Sequence, residues 1–170
     1  MNLSNTSFSF FLEILDNAVL SWALIACGLA QLSKLLIEFL LHRKWRPSVI
    51  FETGGMPSSH SALVTSSAAG VGLQLGFDHP GFAIAATFAF VVMYDASGIR
   101  RAAGLTAARV NALHTESGPS SMSQPLKESL GHSRLEVLVG SFLGPVIAVP
   151  GITFLGSPLH LAQMLGLIVG

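Results

Sequence analysis

The sequence predicts an all-α, multi-pass membrane bundle of about four transmembrane helices, followed by a short apolar C-terminal segment. Of its 170 residues, 51% are hydrophobic and only 11% are charged, whereas a soluble domain carries about 25% charged residues. A chain this short has too much surface for its volume to hide so many apolar side chains from water. These observations exclude a soluble monomer and a disordered chain, and they predict one integral membrane domain over residues 1–170.

Charge and cysteine content exclude further classes of protein. Nine basic residues balance nine acidic ones, so no overall field attracts nucleic acid. The single cysteine, Cys27, excludes an intrachain disulfide and a multi-cysteine zinc site. No Lys or Arg precedes Lys34, so the start of the sequence lacks the basic region of a cleaved signal peptide.

Four apolar stretches are candidates to cross the bilayer, which takes about 20 mainly apolar residues. They are residues 19–41, 60–77, 81–94 and 137–155, and an amphipathic stretch, 8–15, precedes the first. The third is expected to continue as a helix beyond the membrane, because apolar residues keep a helical period at Ile99, Ala103, Val110 and Leu113. The tail, 157–170, is apolar but short for a crossing.

Turn-forming residues separate these stretches. Asp78-His79-Pro80 predicts a tight turn in which Asp78 caps the next helix and Pro80 occupies its first turn. Pro145 and Pro150 are expected to interrupt the fourth stretch. Small polar residues and prolines at 115–125 predict a loop that could act as a flap.

The basic residues gather on one side of this arrangement. Four crossings place residues 41–59 and 96–135 on the same face, which then holds eight of the nine basic residues: Arg43, Lys44, Arg46, Arg100, Arg101, Arg109, Lys127 and Arg134. The opposite face holds Glu13, Asp16 and Asp78 and no Lys or Arg. The positive-inside rule therefore predicts that the basic face is cytoplasmic.

The first reactive cluster on this face is residues 52–60, ETGGMPSSH. Glycines such as Gly55 let backbone N–H groups turn toward a ligand, and Ser58 or Ser59 can cap the helix that follows. A helix start offers free N–H donors and a positive dipole end, so the segment predicts a phosphate cradle with His60 at its lip. The alternative is an ordinary capped helix with a solvated histidine.

The second cluster is His132 and Glu136, which are four residues apart. On a helix they would share a face, and the carboxylate would hold the imidazole tautomer and stabilise its cation. A nucleophilic or acid–base histidine needs such a partner. In the alternative, Ser133 and Glu136 form a capping box that occupies the carboxylate with backbone N–H groups.

Two further sets of charges lie near the membrane boundary. Asp95 ends an apolar run, where a carboxylate needs a partner; Arg100 and Arg101 are suitable partners, and their guanidinium forks also suit phosphate. The alternative is a positive-inside anchor.

Lys34 lies within the first crossing and either reaches toward an anion or extends its amine to the surface. Asp95 with Glu52 or Glu116 could hold a divalent ion, but the spacing does not require a metal.

The strings GGMPSSHSA, MYDASGIRRAAG and LKESLGHSRLEV, in this order, resemble the divergent branch of the type 2 phosphatidic acid phosphatase (PAP2) superfamily over about residues 20–150. Such proteins are often described as related to acid phosphatases and vanadium haloperoxidases. The superfamily signature is Lys-x6-Arg-Pro, Pro-Ser-Gly-His and Ser-Arg-x5-His-x3-Asp. By this resemblance His132 attacks phosphorus, Glu136 orients it and His60 protonates the leaving group. Ser58 and Ser59 match the phosphate cradle.

Ser59 stands for the glycine of the second motif and Glu136 for the aspartate of the third, and the sequence departs further in the first motif and at the start of the third. Arg46-Pro47 matches the end of the first motif, but Phe39 stands where its lysine belongs, so Lys34 or Lys44 would have to substitute. Pro125-Leu126 replaces the Ser-Arg of the third motif, where Lys127 is the nearest basic group. Arg100 and Arg101 are expected to supply the missing charge.

The resemblance implies a membrane phosphatase that hydrolyses a lipid phosphate or pyrophosphate through a phosphohistidine, without a metal or other cofactor. Its expected partners are the lipid substrate and the bilayer. A homodimer is also considered, because four helices make a thin wall around a polar site. The altered motifs leave an alternative open: a catalytically inactive PAP2-like protein that binds or moves an anionic lipid or supports a membrane complex. Kinship alone suggests a vanadate-dependent oxidase, and the thin oxyanion clamp argues against it.

Overall fold

Helices dominate the computed structural model, which describes residues 12–43, 54–116 and 124–167. Helical residues 12–16 come first. Six α-helices follow in the described ranges: α1 (Ala18–His42), α2 (Ser59–Leu75), α3 (Pro80–Ser97), α4 (Ile99–Glu116), α5 (Arg134–Pro150) and α6 (Pro158–Met164). A π-helical turn, Gly151–Leu155, joins the last two. The predicted all-α class is confirmed.

Three helical spans are long and apolar enough to cross a bilayer: Ala18–Leu40, Pro80–Leu113 and Arg134–Leu155. The fourth predicted crossing, α2, has 17 residues, at the lower limit of the roughly 17–25 that a span requires. It packs against α1, α3 and α5 and so forms the centre of the bundle. The expected count of about four crossings is consistent with this arrangement.

Small side chains form the interior of the bundle. The buried residues of α2 are Ser59, Ser61, Ala62, Val64, Ser66, Ala68, Gly70 and Gly72. Large apolar side chains point outward instead, as with Leu24 on α1, Phe88 on α3 and Phe142 on α5. Small residues inside and large apolar residues outside are typical of membrane bundles, in which small residues allow helices to approach and large ones face lipid.

The closest helix contact joins α2 and α5, which run in the same direction from the same end. Gly140 and Gly144 form a GxxxG pair on α5. A Cβ on Gly140 would collide with the Ser58 carbonyl oxygen, and one on Gly144 with the Ala62 carbonyl oxygen. At the start of both helices, Ser58 N–H donates to Glu136 O (3.0 Å). The contact therefore fixes the beginning of α2 against the beginning of α5.

The predicted turns and breaks are partly right. His79, not Asp78, caps α3: its Nδ1 accepts from Gly81 N–H (3.0 Å), because Pro80 occupies the first helical position and makes the preceding residue the cap. The expected interruption at Pro145 is wrong, since α5 continues through it to Pro150; packing against a neighbouring helix allows a membrane helix to tolerate the lost hydrogen bond.

The third stretch continues as a helix beyond the predicted crossing, but with a break at Gly98 (φ −106°, ψ −85°) that separates α3 from α4. Of the predicted loop 115–125, Thr115 and Glu116 still belong to α4, whereas residues 117–123 lie outside the described ranges. Of the amphipathic stretch 8–15, only residues 12–15 are described, and they are helical. The tail contains α6, which begins directly after Ser157. The Ser157 hydroxyl donates a hydrogen bond to Asp16 Oδ1 (2.6 Å).

Candidate active site

Two histidines that are 72 residues apart in the sequence line one cavity. His60 is the second residue of α2, and His132 lies just before α5. Asp95 and Arg100 line the same cavity from the junction of α3 and α4. The cavity measures about 20 Å³, which is room for about one water molecule. A phosphate group therefore enters only if an exposed side chain at the cavity, such as Arg100, moves.

His132 is held in place from two sides. Its backbone N–H donates to Ala96 O at the end of α3 (2.9 Å), and its ring Nδ1 lies 2.9 Å from Glu136 Oε2 on α5. The residue is only 3% exposed. Its other ring nitrogen, Nε2, is buried and has no hydrogen bond of good geometry to a described residue, while the Gly55 backbone lies close enough to the ring to raise its pKa. The geometry leaves Nε2 as the nitrogen available for chemistry.

Glu136 makes both of the contacts that the sequence left as alternatives. Its Oε2 accepts from Ser133 N–H (3.3 Å) while Ser133 Oγ accepts from Glu136 N–H (3.3 Å), which completes a capping box. The same Oε2 contacts His132 Nδ1. The i,i+4 spacing of His132 and Glu136 suggested that both lie on the helix. His132 instead precedes it, because Ser133 is the N-cap and the helix begins at Arg134. The cap brings the ring over the carboxylate instead.

Burial lowers the pKa of His132 below its ordinary value of about 6.5. The hydrogen bond to the Glu136 carboxylate opposes this shift, and the positive charge of Lys34 reinforces it. The net direction favours the neutral imidazole at pH 7. A neutral ring with one nitrogen held by a carboxylate is the form that a nucleophilic histidine requires.

The segment before α2 supplies a turn and a cap. Gly55 has φ 86°, a left-handed conformation that suits glycine. Ser58 is the N-cap, and its Oγ accepts from Ser61 N–H (3.3 Å). The Ser59 hydroxyl contacts Cys27 on α1. Both hydroxyls, predicted to bind phosphate, thus lie away from the cavity lining, and the first-turn N–H groups of α2 are the donors that remain.

The predicted cations are distributed unequally around the cavity. Arg100 Nε donates to Asp95 Oδ2 (2.5 Å), the pairing that the sequence predicted, with the arginine side chain 54% exposed. Arg101 is also exposed, and its backbone packs against Gly131, but it does not line the cavity. Arg46 lies outside the described residues.

The segment that should carry the third motif's Ser-Arg packs along α4. Leu126 N–H donates to Asn111 Oδ1 (2.9 Å), and Asn111 Nδ2 donates to Leu126 O (2.9 Å). Lys127, next to it, is exposed and does not line the cavity. Arg100 is therefore the one arginine among the described residues that line the cavity.

Lys34 is buried, at 3% exposed, so the alternative in which its amine reaches the surface is wrong. Its positive charge acts on both His60 and His132. The side chain passes beneath Gly55, where a Cβ would lie 4.0 Å from Lys34 Cδ. Burial of an ion in a membrane bundle indicates an inward-facing site, and here it adds positive charge next to the histidines.

Two contributions were not recognised in the sequence. Val92 and Ala96 form the apolar wall of the cavity, and nothing in their local pattern distinguishes them from other apolar residues of α3. Gly140 holds the Ser58 segment against α5, and this role had a signal: GxxxG spacing in an apolar helix marks close helix packing.

The fold defines a polytopic α-helical membrane protein with a polar, histidine-containing site at the end of the bundle where the basic side chains gather. Over residues 15–147 the chain matches the divergent PAP2 family, and it belongs to that family. It is 38% identical to an uncharacterised membrane protein of Bacillus subtilis, YuiD, across 81% of this chain and 96% of that protein. No solved structure matches it. The chain is accordingly a PAP2-like integral membrane protein.

Proposed function

We propose that the protein is a membrane phosphatase that hydrolyses a lipid phosphate or pyrophosphate through a phosphohistidine intermediate. The observation that supports the proposal is the shared cavity of His60 and His132, with the Glu136 carboxylate 2.9 Å from one ring nitrogen of His132. Family membership is consistent with this chemistry.

The reaction proceeds in two displacements. His132 Nε2 attacks phosphorus, the P–N bond forms, and the P–O bond to the leaving group breaks as His60, which starts as an imidazolium stabilised by the bound phosphate anion, gives it a proton. Neutral His60 then takes a proton from water, whose oxygen attacks phosphorus and breaks the P–N bond. Phosphate leaves, and both histidines return to their starting states. Glu136 stabilises the charged ring of His132 throughout.

Positive charge performs most of the electrostatic work in phosphoryl transfer. Arg100 leaves Asp95 to bind phosphate oxygens, and Lys34 contributes its charge from beneath the site. The N–H groups at the start of α2 donate to the remaining oxygen. Arg101 and Lys127 attract the anionic headgroup from the exposed surface, and Arg46, whose position lies outside the described residues, is expected to add to this positive charge.

The experiment is phosphate release by the purified full-length protein from a panel of lipid phosphates and pyrophosphates. His132→Ala is expected to lower turnover by about 10³-fold or more. His160→Ala is the matched control, because that histidine is exposed on α6 at the opposite end, and it should leave turnover unchanged. Full activity in His132→Ala, with both variants folded, would refute the proposal.

The active face is proposed to be cytoplasmic on the positive-inside rule. In a Cys27→Ala background, Gln124→Cys reports the site end and Asp78→Cys the opposite end, and both positions are exposed. A membrane-impermeant maleimide should label Asp78→Cys in intact cells and Gln124→Cys only after permeabilisation. The reverse pattern would place the site outside.

A non-catalytic role as an anionic-lipid binder is the second candidate. The displaced third-motif segment, with Leu126 bound to Asn111 and Lys127 away from the cavity, favours it. The same lipid panel separates the two functions. Tight binding without turnover, equal in the unmodified protein and His60→Ala, would support the binder and exclude the phosphatase.

A further inference from the structure

A second and much larger cavity lies between the C-terminal half of α3 and the first turns of α5. Its volume is about 840 Å³, within the range of about 300–1,000 Å³ that ligand pockets occupy. Phe90, Val91, Val137 and Leu138 form much of its walls. We call this cavity the α3–α5 groove.

The groove exists because α2 holds both helices while they hardly touch each other. It opens to the outside of the bundle, where its lining side chains are strongly exposed: Phe90 is 70% and Leu138 52% exposed. These residues belong to two of the spans that are apolar enough to cross a membrane. The groove therefore opens toward the hydrocarbon layer.

At its inner end the groove reaches the candidate active site. Asp95 lines both the groove and the histidine cavity, and Arg100 is bound to Asp95. A second cation, Arg134, lines the groove itself at the start of α5. The α3–α5 groove is apolar and leads to two arginines and then to two histidines. This arrangement is complementary to a molecule with a hydrocarbon chain and an anionic head.

We propose that the α3–α5 groove binds the hydrocarbon chain of a lipid phosphate that enters sideways from the bilayer, with its head directed past Asp95 to the histidines. The assignment rests on the proposed function for the fate of the phosphate, and it adds the site that selects a membrane substrate over a soluble one. Separation of Asp95 from Arg100 opens the route between the two cavities and provides a guanidinium for the head.

The kinetic test compares a long-chain alkyl phosphate with a short, water-soluble one in detergent micelles. Leu138→Trp fills the groove and should lower kcat/KM for the long-chain substrate about tenfold, the scale at which apolar pockets discriminate size. It should lower kcat/KM for the short substrate much less. Equal losses for both substrates, or none for either, would overturn the proposal.

Leu135→Trp is the matched control. Leu135 lies on the same helix, one turn from Leu138, and is similarly exposed at 61%, but it does not line the groove. This variant should retain both activities. Loss of long-chain activity in Leu135→Trp would mean that bulk on the lipid-facing surface, rather than the groove, governs the substrate, and would overturn the assignment.

A direct binding test separates the groove from the chemistry. A lipid phosphate with a photoreactive group at the end of its chain is cross-linked to the His132→Ala protein, and labelled peptides are mapped. Labelling is expected on α3 and α5 within residues 90–97 and 134–141. It should be displaced by unlabelled lipid phosphate and not by phosphatidylcholine. Equal displacement by phosphatidylcholine would reduce the groove to ordinary lipid contact and overturn the proposal.

The phosphatase function and the lipid-binding groove can be refuted independently of each other. Specific labelling of the groove without phosphate release from any substrate would support the groove and refute the phosphatase. Phosphate release that ignores chain length, without labelling of the groove, would overturn the groove and leave the phosphatase.

Discussion

His132 and Arg100, which line the same cavity, are held in opposite ways. His132 is 3% exposed and is attached to both α3 and α5 through Ala96 and Glu136. Arg100 follows the break at Gly98, its side chain is 54% exposed, and the interaction that the structure gives for its side chain is with Asp95. One group is fixed by the packed bundle, and the other can change its position at little cost.

This difference fits the two tasks that we propose for these residues. A nucleophile must be positioned within a fraction of an ångström, because small misplacements reduce rates strongly. A cation that neutralises phosphate must instead let the substrate enter a cavity of about 20 Å³. An exposed ion pair is worth only about 0–1 kcal/mol, so Arg100 can leave Asp95 when a better anion arrives.

The largest effect is expected for Glu136→Gln. The amide preserves the shape of the cap but removes the charge that steadies the His132 ring. We expect kcat to fall by about 10²–10⁴-fold, with a smaller change in KM. Phosphate-release kinetics measure this split. A change confined to KM would show that Glu136 acts only as a helix cap.

Arg100→Gln should mainly weaken binding of the phosphate head. Hydrogen bonds to charged groups contribute about 1.5–3 kcal/mol, which corresponds to about a 10- to 100-fold loss in kcat/KM. Arg109→Gln, on the same helix but not in the cavity lining, is the control and should change little. Equal losses in both variants would show a general surface-charge effect rather than a contact with phosphate.

Gly140→Ala tests the rigid half of the site. Its Cβ would collide with the Ser58 carbonyl oxygen, whereas a Cβ on Gly28 meets nothing within 4 Å. Overpacking should lower the free energy of unfolding by about 1–3 kcal/mol in Gly140→Ala, with no loss in Gly28→Ala. Thermal unfolding in detergent measures both. Equal stability in the two variants would contradict the tight contact between α2 and α5.

The pH dependence reports the environment of His132. Because burial lowers its pKa, the acid limb of kcat/KM should lie below pH 6.5. Folding favours the neutral ring, so the corresponding stability is present above pH 6.5 and is lost as pH falls toward the folded pKa. In Glu136→Gln the acid limb should shift to still lower pH, since the Glu136 carboxylate raises the pKa of His132. An acid limb at or above pH 6.5 would contradict the buried position.

The smallest effect is expected for Asp95→Asn. Removal of the carboxylate leaves Arg100 without its anionic partner, which should strengthen product inhibition by inorganic phosphate up to about fivefold, the equivalent of about 1 kcal/mol. The inhibition constant measures this change. Weaker inhibition would show that Asp95 holds Arg100 in its binding position instead of competing with phosphate.

Local features of the site were predictable from the sequence. The Asp95–Arg100 pair, the Ser58 cap and the contact of His132 with Glu136 all join residues within five positions of one another. Local geometry decides such contacts. Even so, the helical argument for His132 was wrong in detail, because the cap at Ser133 and not a helix face brings the ring to the carboxylate.

The apolar composition and the spacing of the four hydrophobic stretches by themselves determined that this chain forms a helical membrane bundle, because backbone polar groups in lipid must pair within each helix. Only the tertiary structure decided that Lys34 is buried and that the α3–α5 groove opens beside Asp95. It also decided that His60 and His132 share a cavity. Those features depend on how closely the helices pack. Small residues such as Gly140 set the distance between helices whose residues are far apart in the sequence.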